Sequence, residues 1–273
     1  MQYQLMAVDM DGTLLNSDKH ISPADADAVN RALSQGKRVV FCTGRCITEL
    51  TAFFPLFPKM RYVLGESGAL IYDLRQDIAV HRQSFDPELA EAVWRRMAHR
   101  DLMPQLLMRD TTVMRQWDID HLERYHMSHY HQHFIQTGRI VEDVWTQGQE
   151  NSWLNVDKIC LFHTSPEERA LSRAALQDLP MTLADAEETS LELSPLGVDK
   201  GKALGILCRH LGIPLEETIA VGDSYNDLSV LRTAGLSVAM GNAVPAVRSS
   251  CAAVVADNDH FGVAEAVERF LLR

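Results

Sequence analysis

The sequence predicts an α/β protein: a doubly wound parallel-sheet core of Rossmann-like type, interrupted by an inserted α+β cap domain. Three observations lead there. Short apolar runs alternate with amphipathic helical stretches at both ends of the chain, the pattern of parallel strands joined by helical crossovers. The middle of the chain drops that alternation and carries hairpin and isolated-helix signals instead. Polar, acid-rich turns directly follow the predicted strands at both ends, where an open α/β sheet gathers its ligand-binding groups.

The first strand spans residues 3–8, a short apolar run that ends in acidic residues. A helix follows, with Ser22 as N-cap, Pro23 at the first helical position and Asp25 at capping-box spacing. Ala26, Val29 and Leu33 recur at helical spacing and Gly36 closes the helix. Residues 38–42 then read as a second buried strand. The C-terminal third repeats the style. Helices are expected at 202–211, 227–234 and 262–272, and strands at 218–221, 236–239 and 252–255.

In the middle, Asp86-Pro87 starts a helix whose Leu89, Ala90, Val93, Trp94 and Met97 share one face. Residues 103–108 and 111–116 form an expected hairpin around Arg109-Asp110. A polar, histidine-rich helix is expected over 121–134 and a loop over 138–151. After these come a strand at 156–162, a helix capped by Ser165-Pro166, and short strands near 181–183 and 190–193. The expected division is a core of residues 1–82 and 189–273 and an inserted cap of 83–188.

The chain has 273 residues and a formal net charge of −11, a poor match for nucleic acid or an anionic membrane, both of which need basic patches. No apolar run approaches a membrane span, and the first residues lack the basic and apolar regions of a signal peptide, so a cytoplasmic protein is expected. The five cysteines are odd in number and show no CxxC spacing, which favours reduced thiols over a disulfide framework or a zinc ribbon. Nothing suggests an obligate protein partner.

Four polar motifs carry the chemistry: Asp9-Met10-Asp11-Gly12-Thr13, Thr43-Gly44-Arg45, Lys200, and Gly222-Asp223-Ser224-Tyr225-Asn226-Asp227. Asp9, Asp11, Asp223 and Asp227 would repel one another without a cation, and hard oxygen ligands with room for water suit Mg²⁺. Lys200 and the Thr43 hydroxyl are placed to hold phosphoryl oxygens, with backbone amides after Asp9 and at Thr43-Gly44 adding donors. The Asp-x-Asp spacing suggests that one carboxylate attacks phosphorus while its neighbour two residues on moves protons. A DxDG turn alone is a common loop after a strand; four such motifs in this order are not.

With these motifs the chain resembles the haloacid-dehalogenase-like superfamily, in particular its Cof-type phosphatases, which carry a large α/β cap before the lysine motif. The resemblance runs along essentially the whole chain and includes Ala239-Met240-Gly241-Asn242-Ala243 and the tail of residues 257–272. It implies Asp9 as nucleophile, Asp11 as general acid/base, and Thr43 and Lys200 as phosphoryl-binding groups. It further implies Mg²⁺ held by the Asp9 carboxylate, the Asp11 backbone carbonyl and Asp223, with Asn226 and Asp227 in support. The expected substrate is a small phosphorylated metabolite such as a sugar phosphate. The insert leaves the core after the second motif and returns just before Lys200, so it is expected to be a mobile cap that closes over the site and selects the leaving group. The chain departs from the family pattern at Ser67, where Asn is common, and at Ser224, where Gly is common. Two other functions fit parts of the pattern. A phosphomutase would return the phosphoryl group to a bound sugar. A receiver-type phosphoacceptor would be shorter and would lack the Asp9/Asp11 pair. His126, His129 and His133 would share a helical face in the expected histidine helix; a solvated face accounts for them better than a metal site.

Overall fold

The computed structural model describes residues 2–108, 111–185 and 188–273. Their contacts divide the chain into two compact units: Met1–Gly44, Ala52–His81 and Asp199–Arg273 form the first, and Arg45–Thr51 with Arg82–Val198 the second. The second unit thus spans the expected insert, runs on to Val198, and takes in a short segment directly after the Thr43-Gly44 motif.

The chain begins with β1 (Leu5–Val8), α1 (Pro23–Ser34) and β2 (Arg38–Cys42). β1 is buried at every residue and β2 at all but its first, as expected of parallel strands covered on both faces. α1 begins where its caps predict: the Asp25 N–H donates to Ser22 Oγ at 3.0 Å. The sequence reading has no strand between residues 43 and 83, but the structure has three: β3 (Tyr62–Gly65), β4 (Leu70–Asp73) and β5 (Ile78–Arg82). Each is four or five residues long, too short to display a period.

The second unit holds α2 (Pro87–Met97), β6 (Leu102–Met108), β7 (Thr111–Arg115), α3 (Gln116–Ile119), α4 (His131–Thr137), β8 (Arg139–Val141), α5 (Val144–Glu150), β9 (Val156–His163), α6 (Pro166–Leu176), β10 (Met181–Asp185) and β11 (Ser190–Pro195). Its sheet runs β10-β11-β9-β6-β7-β8, antiparallel except for the β7–β8 edge. One core lies among α2, α5, α6 and the sheet residues Leu102, Leu106, Val113, Ile159 and Leu161. A second gathers Met103, Leu107, Met114, Tyr125, Phe134 and Phe162. The β6–β7 pairing confirms the expected hairpin strands, while its Arg109-Asp110 turn lies outside the described residues.

Two expectations for this unit are overturned. The 121–134 helix is not continuous: single 3-10 turns at Leu122–Tyr125 and Ser128–Tyr130 precede α4, and His126 stands left-handed at φ 61°, which ends the helical run. The 138–151 loop is instead β8 and α5. Asp143 caps α5 by accepting from the Trp145 N–H at 2.9 Å, and Gly148 leaves room for the Trp153 ring. A strand of three residues and a helix rich in Gln and Gly carry too little apolar periodicity to be read in advance.

The chain returns through α7 (Lys200–Leu211), β12 (Thr218–Gly222), α8 (Leu228–Thr233), β13 (Leu236–Ala239), α9 (Pro245–Ser250), β14 (Ala253–Val254) and α10 (Gly262–Ala266), which passes into a π turn at Val267–Leu271. The eight-stranded sheet of the first unit runs β14-β13-β12-β1-β2-β3-β4-β5, parallel from β14 to β3 and antiparallel between β3 and β4. α1 packs with α10, and α7 with α8, giving the doubly wound α/β core that the alternation predicts. Because β12, β1 and β2 are adjacent and parallel, the residues just after them, Asp223, Asp9 and Thr43, meet at one sheet edge. Among the described residues, no helix is long and apolar enough to cross a membrane.

Candidate active site

Asp9 is the first residue beyond β1 and is buried. The backbone then turns sharply: the Leu14 N–H donates to Asp9 O and the Leu15 N–H to Met10 O. Gly12 has φ +79°, and a Cβ there would fall 2.6 Å from Asp223 Oδ2, so the turn admits only glycine against that carboxylate. Thr13 Oγ1 donates to Asp223 Oδ1 at 2.8 Å, which binds the first motif to the fourth.

Lys200 opens α7, whose N-cap Asp199 accepts from the Lys202 N–H at 2.8 Å. Its neighbour Gly201 lets α7 approach α8 closely, since a Cβ there would lie 2.5 Å from Ser229 O and Thr233 Oγ1. From this position the Lys200 ammonium, 1% exposed, reaches Asp9 Oδ1 and Asp227 Oδ1, both at 2.6 Å. Asp227 is fully buried, and its other oxygen accepts from the Asp223 and Ser224 N–H groups at 3.0 and 3.1 Å. Gly222 makes space for this, because the Asp227 carboxyl lies 2.6 Å from where its Cβ would be. Ser224, one of the two departures from the family pattern, closes a capping box with Asp227 and so has a local structural role.

Thr43 lies at the end of β2, 1% exposed, with its N–H donating to Leu64 O. Its carbonyl accepts from the Ser67 N–H at 3.0 Å. Glu66, Ser67 and Gly68 are three consecutive residues with positive φ, 54°, 57° and 105°. Left-handed backbone at two non-glycine residues in a row is a strained arrangement of the kind found at functional sites. Gly68 lies against Asp199, so this strained turn stands between the Thr43 and Lys200 motifs.

The carboxylates of Asp9, Asp223 and Asp227 each offer an oxygen within 4.8 Å of the others. Burial, then the negative charge of Asp227, pushes the Asp9 carboxyl well above its usual range despite the Lys200 ammonium. Burial and the same neighbour push Asp223 up to about 6. The Lys200 ammonium is held well above its usual range: burial works against it, but the charges of Asp227 and Asp9 prevail. Asn226 Oδ1 is buried with no hydrogen-bond partner among the described residues. A crowded set of hard oxygen donors, together with an acceptor that lacks a donor, fits a hydrated divalent cation.

Asp11 stands apart from this cluster. Its half-buried carboxylate pairs with Lys19 Nζ at 3.1 Å, and its backbone forms an isolated β-bridge with Leu15. Lys19 is absent from the sequence reading, and no motif spacing points to it. Thr13 sits inside the first motif, but its bond to Asp223 is visible only in the fold. Among the described residues, the histidines form no group that could hold a metal ion. The His121 ring stacks on Trp117, His126 Nε2 lies 3.3 Å from Thr164 O, and His133 Nε2 is 3.6 Å from Glu49 Oε1; the side chain of His129 lies outside the described residues.

Comparison with known proteins agrees with this geometry. The haloacid dehalogenase-like hydrolase family model matches residues 6–267. Phosphatase YwpJ of Bacillus subtilis is 30% identical, with 98% of this chain and 100% of that protein covered. The HMP-PP phosphatase of Serratia proteamaculans is 29% identical over 90% of this chain and 87% of its own length. Among solved structures, a haloacid dehalogenase-like hydrolase from B. subtilis superposes with a TM-score of 0.87 at 28% identity, covering 97% of this chain and 99% of that one. One from Bacteroides thetaiotaomicron gives 0.85 at 27% identity, covering 98% and 99%. The match along nearly the whole length, motifs and fold together, places the chain in the haloacid dehalogenase-like hydrolase family, among its Cof-type phosphatases.

Proposed function

We propose that this phosphatase hydrolyses small phosphomonoesters, sugar phosphates or similar metabolites, with Mg²⁺ and through an aspartyl phosphate on Asp9. The observation that carries the reading is the buried Lys200 ammonium, fixed at 2.6 Å on one oxygen of Asp9 and one of Asp227. It restrains the Asp9 carboxylate and leaves a cation at the place where phosphoryl oxygens would arrive.

In this reading Asp9 attacks phosphorus, forming a P–O bond to its carboxylate as the bond to the leaving oxygen breaks. Asp11, as the acid, delivers its proton to that oxygen. As a carboxylate it then takes a proton from water, whose oxygen attacks phosphorus, releasing phosphate and restoring Asp9. The Lys19–Asp11 pair is partly exposed and worth about 0–1 kcal/mol, small enough to yield to a substrate. The Thr43 hydroxyl, the Gly44 N–H and Lys200 bind phosphoryl oxygens, and Asn226 supports the site. Mg²⁺, held by the Asp9 carboxylate, the Asp11 carbonyl and Asp223, would neutralise the clustered carboxylates and the substrate's charge. Asp227 holds Lys200 and the Asp223 backbone in place.

The substrate class is supported by the names of relatives, which include an HMP-PP phosphatase and a 5-amino-6-(5-phospho-D-ribitylamino)uracil phosphatase. The insert, residues 83–188, carries none of these groups and is assigned the choice of leaving group. A panel of phosphorylated metabolites assayed with Mg²⁺ or with chelator tests the reading. Phosphate release should need Mg²⁺ and collapse by orders of magnitude in Asp9→Asn; undiminished turnover in that variant would refute it.

A further inference from the structure

The turn that carries Asp11 is tied down from outside its own motif. Gly12 O accepts from Asn242 Nδ2 at 2.8 Å, and Leu15 O accepts from Asn258 Nδ2 at 2.9 Å. Ser17 donates twice to Asp259, through its N–H at 2.9 Å and its hydroxyl at 2.6 Å. The anchoring residues also hold one another, since the Asn258 N–H donates to Asn242 Oδ1 at 3.2 Å. Asn242 follows β13, and Asn258 and Asp259 follow β14. Gly241 brings these two loops together: its N–H donates to Ala256 O, and a Cβ there would lie 2.9 Å from the Asp257 nitrogen.

These ties matter because of what they hold. Asp11 pairs with Leu15 through the isolated β-bridge, so the carbonyl that Asn258 grips belongs to the residue opposite Asp11. Asn258 is itself buried, whereas the Asn242 bond is exposed, so Asn258 is the firmer anchor. Asp9 needs no such help: it is buried next to β1 and held by Lys200. The Asp11 carboxylate is partly exposed, and its pair with Lys19 is screened by solvent.

We propose that Asn258, with Asn242 beside it, is a positioning residue for Asp11: the C-terminal loops latch the Gly12–Ser17 turn and so aim the carboxyl that protonates the leaving oxygen. The inference rests on the phosphatase reading above. A latch that acts through proton delivery should matter for leaving groups that need a proton and hardly at all for those that do not. A purely structural role would affect both alike.

The experiment measures kcat/KM, which covers the step in which the leaving group departs, for the full chain with Mg²⁺ on two substrates: an alkyl phosphomonoester and 4-nitrophenyl phosphate. Asn258→Ala should lower kcat/KM on the alkyl ester by about tenfold or more, a part of the roughly 10²–10⁴ that acid–base catalysis supplies, and on the nitrophenyl ester by less than about threefold. Combined with Asp11→Asn it should add less than about twofold, because the residue it positions is already disabled. Asn242→Ala, at an exposed position, should show the same pattern more weakly and carries the test if Asn258→Ala does not fold. Equal losses on both esters, unchanged rates on both, or full additivity with Asp11→Asn would overturn the latch. Wild-type protein that turns over neither ester would instead sink the phosphatase reading from which the latch takes its purpose.

Discussion

Replacing Lys200 with Met keeps most of the side chain, one atom shorter, and removes its charge. The ammonium is 1% exposed and sits 2.6 Å from two carboxylates, one of them fully buried. Removing one partner of a buried ion pair leaves an uncompensated charge and costs about 3–5 kcal/mol. For a protein of this size each kcal/mol moves Tm by about 2–4 °C, so Lys200→Met should melt roughly 6–20 °C below wild type in chelator. Part of the loss should return in a double variant with Asp227→Asn, which removes one of the stranded charges. Mg²⁺ should also recover part of it, since a bound cation would neutralise the same carboxylates. Thermal melts of wild type, Lys200→Met, Asp227→Asn and the double variant, with and without Mg²⁺, give the comparison, and urea unfolding checks that two-state behaviour holds. Lys200→Met melting within about 2 °C of wild type would refute the premise that the ammonium is what compensates these buried carboxylates.

Further outcomes are expected. Ser224→Ala should cost about 0.5–2 kcal/mol by urea unfolding and Ser224→Gly only a few tenths, because the capping box needs an N-cap residue and glycine is tolerated there; equal costs would contradict the cap assignment. Asp223 has its carboxyl pushed up to about 6, above the value of about 3.9 for the unfolded chain, so without metal its contribution to stability is fully present below about pH 4 and lost as pH rises through 6. Mg²⁺ must displace protons there, so the rise in Tm on adding Mg²⁺ should be small at pH 5 and large above pH 7; a rise that does not change with pH would argue against Asp223 as a ligand. Gly201→Ala should lower stability by about 1–3 kcal/mol by forcing α7 away from α8, and a neutral result in the same unfolding assay would show that the helices can give.

Much of the core was legible because its signals are local. Asp9, Thr43 and Asp223 each follow an apolar run that can only be a covered strand, and the edge rule for α/β sheets places them together. The reach of Lys200 to both Asp9 and Asp227 was not legible, because it depends on Gly201 letting two helices close up. Nor was the link from Thr13 to Asp223, or the Lys19–Asp11 pair, both set by a turn whose shape follows from Gly12. In the second unit the elements that escaped reading are those with weak periodicity. β8 has three residues, α5 mixes Gln and Gly with its aromatics, and a left-handed His126 breaks what its neighbours suggest is one helix.

The account stands or falls on the covalent intermediate at Asp9. Acid-quenching the enzyme during turnover of an excess of substrate with Mg²⁺, reducing with borohydride, and mapping peptides by mass spectrometry would read it directly. An aspartyl phosphate is reduced to homoserine, whereas a free carboxylate is not. Homoserine should appear at position 9, only when substrate and Mg²⁺ are both present, and with 4-nitrophenyl phosphate, whose leaving group needs no proton, it should increase in Asp11→Asn, where hydrolysis of the intermediate lacks its base. Vigorous phosphate release with position 9 unmodified in both proteins, or with the modification at another carboxylate, would contradict it.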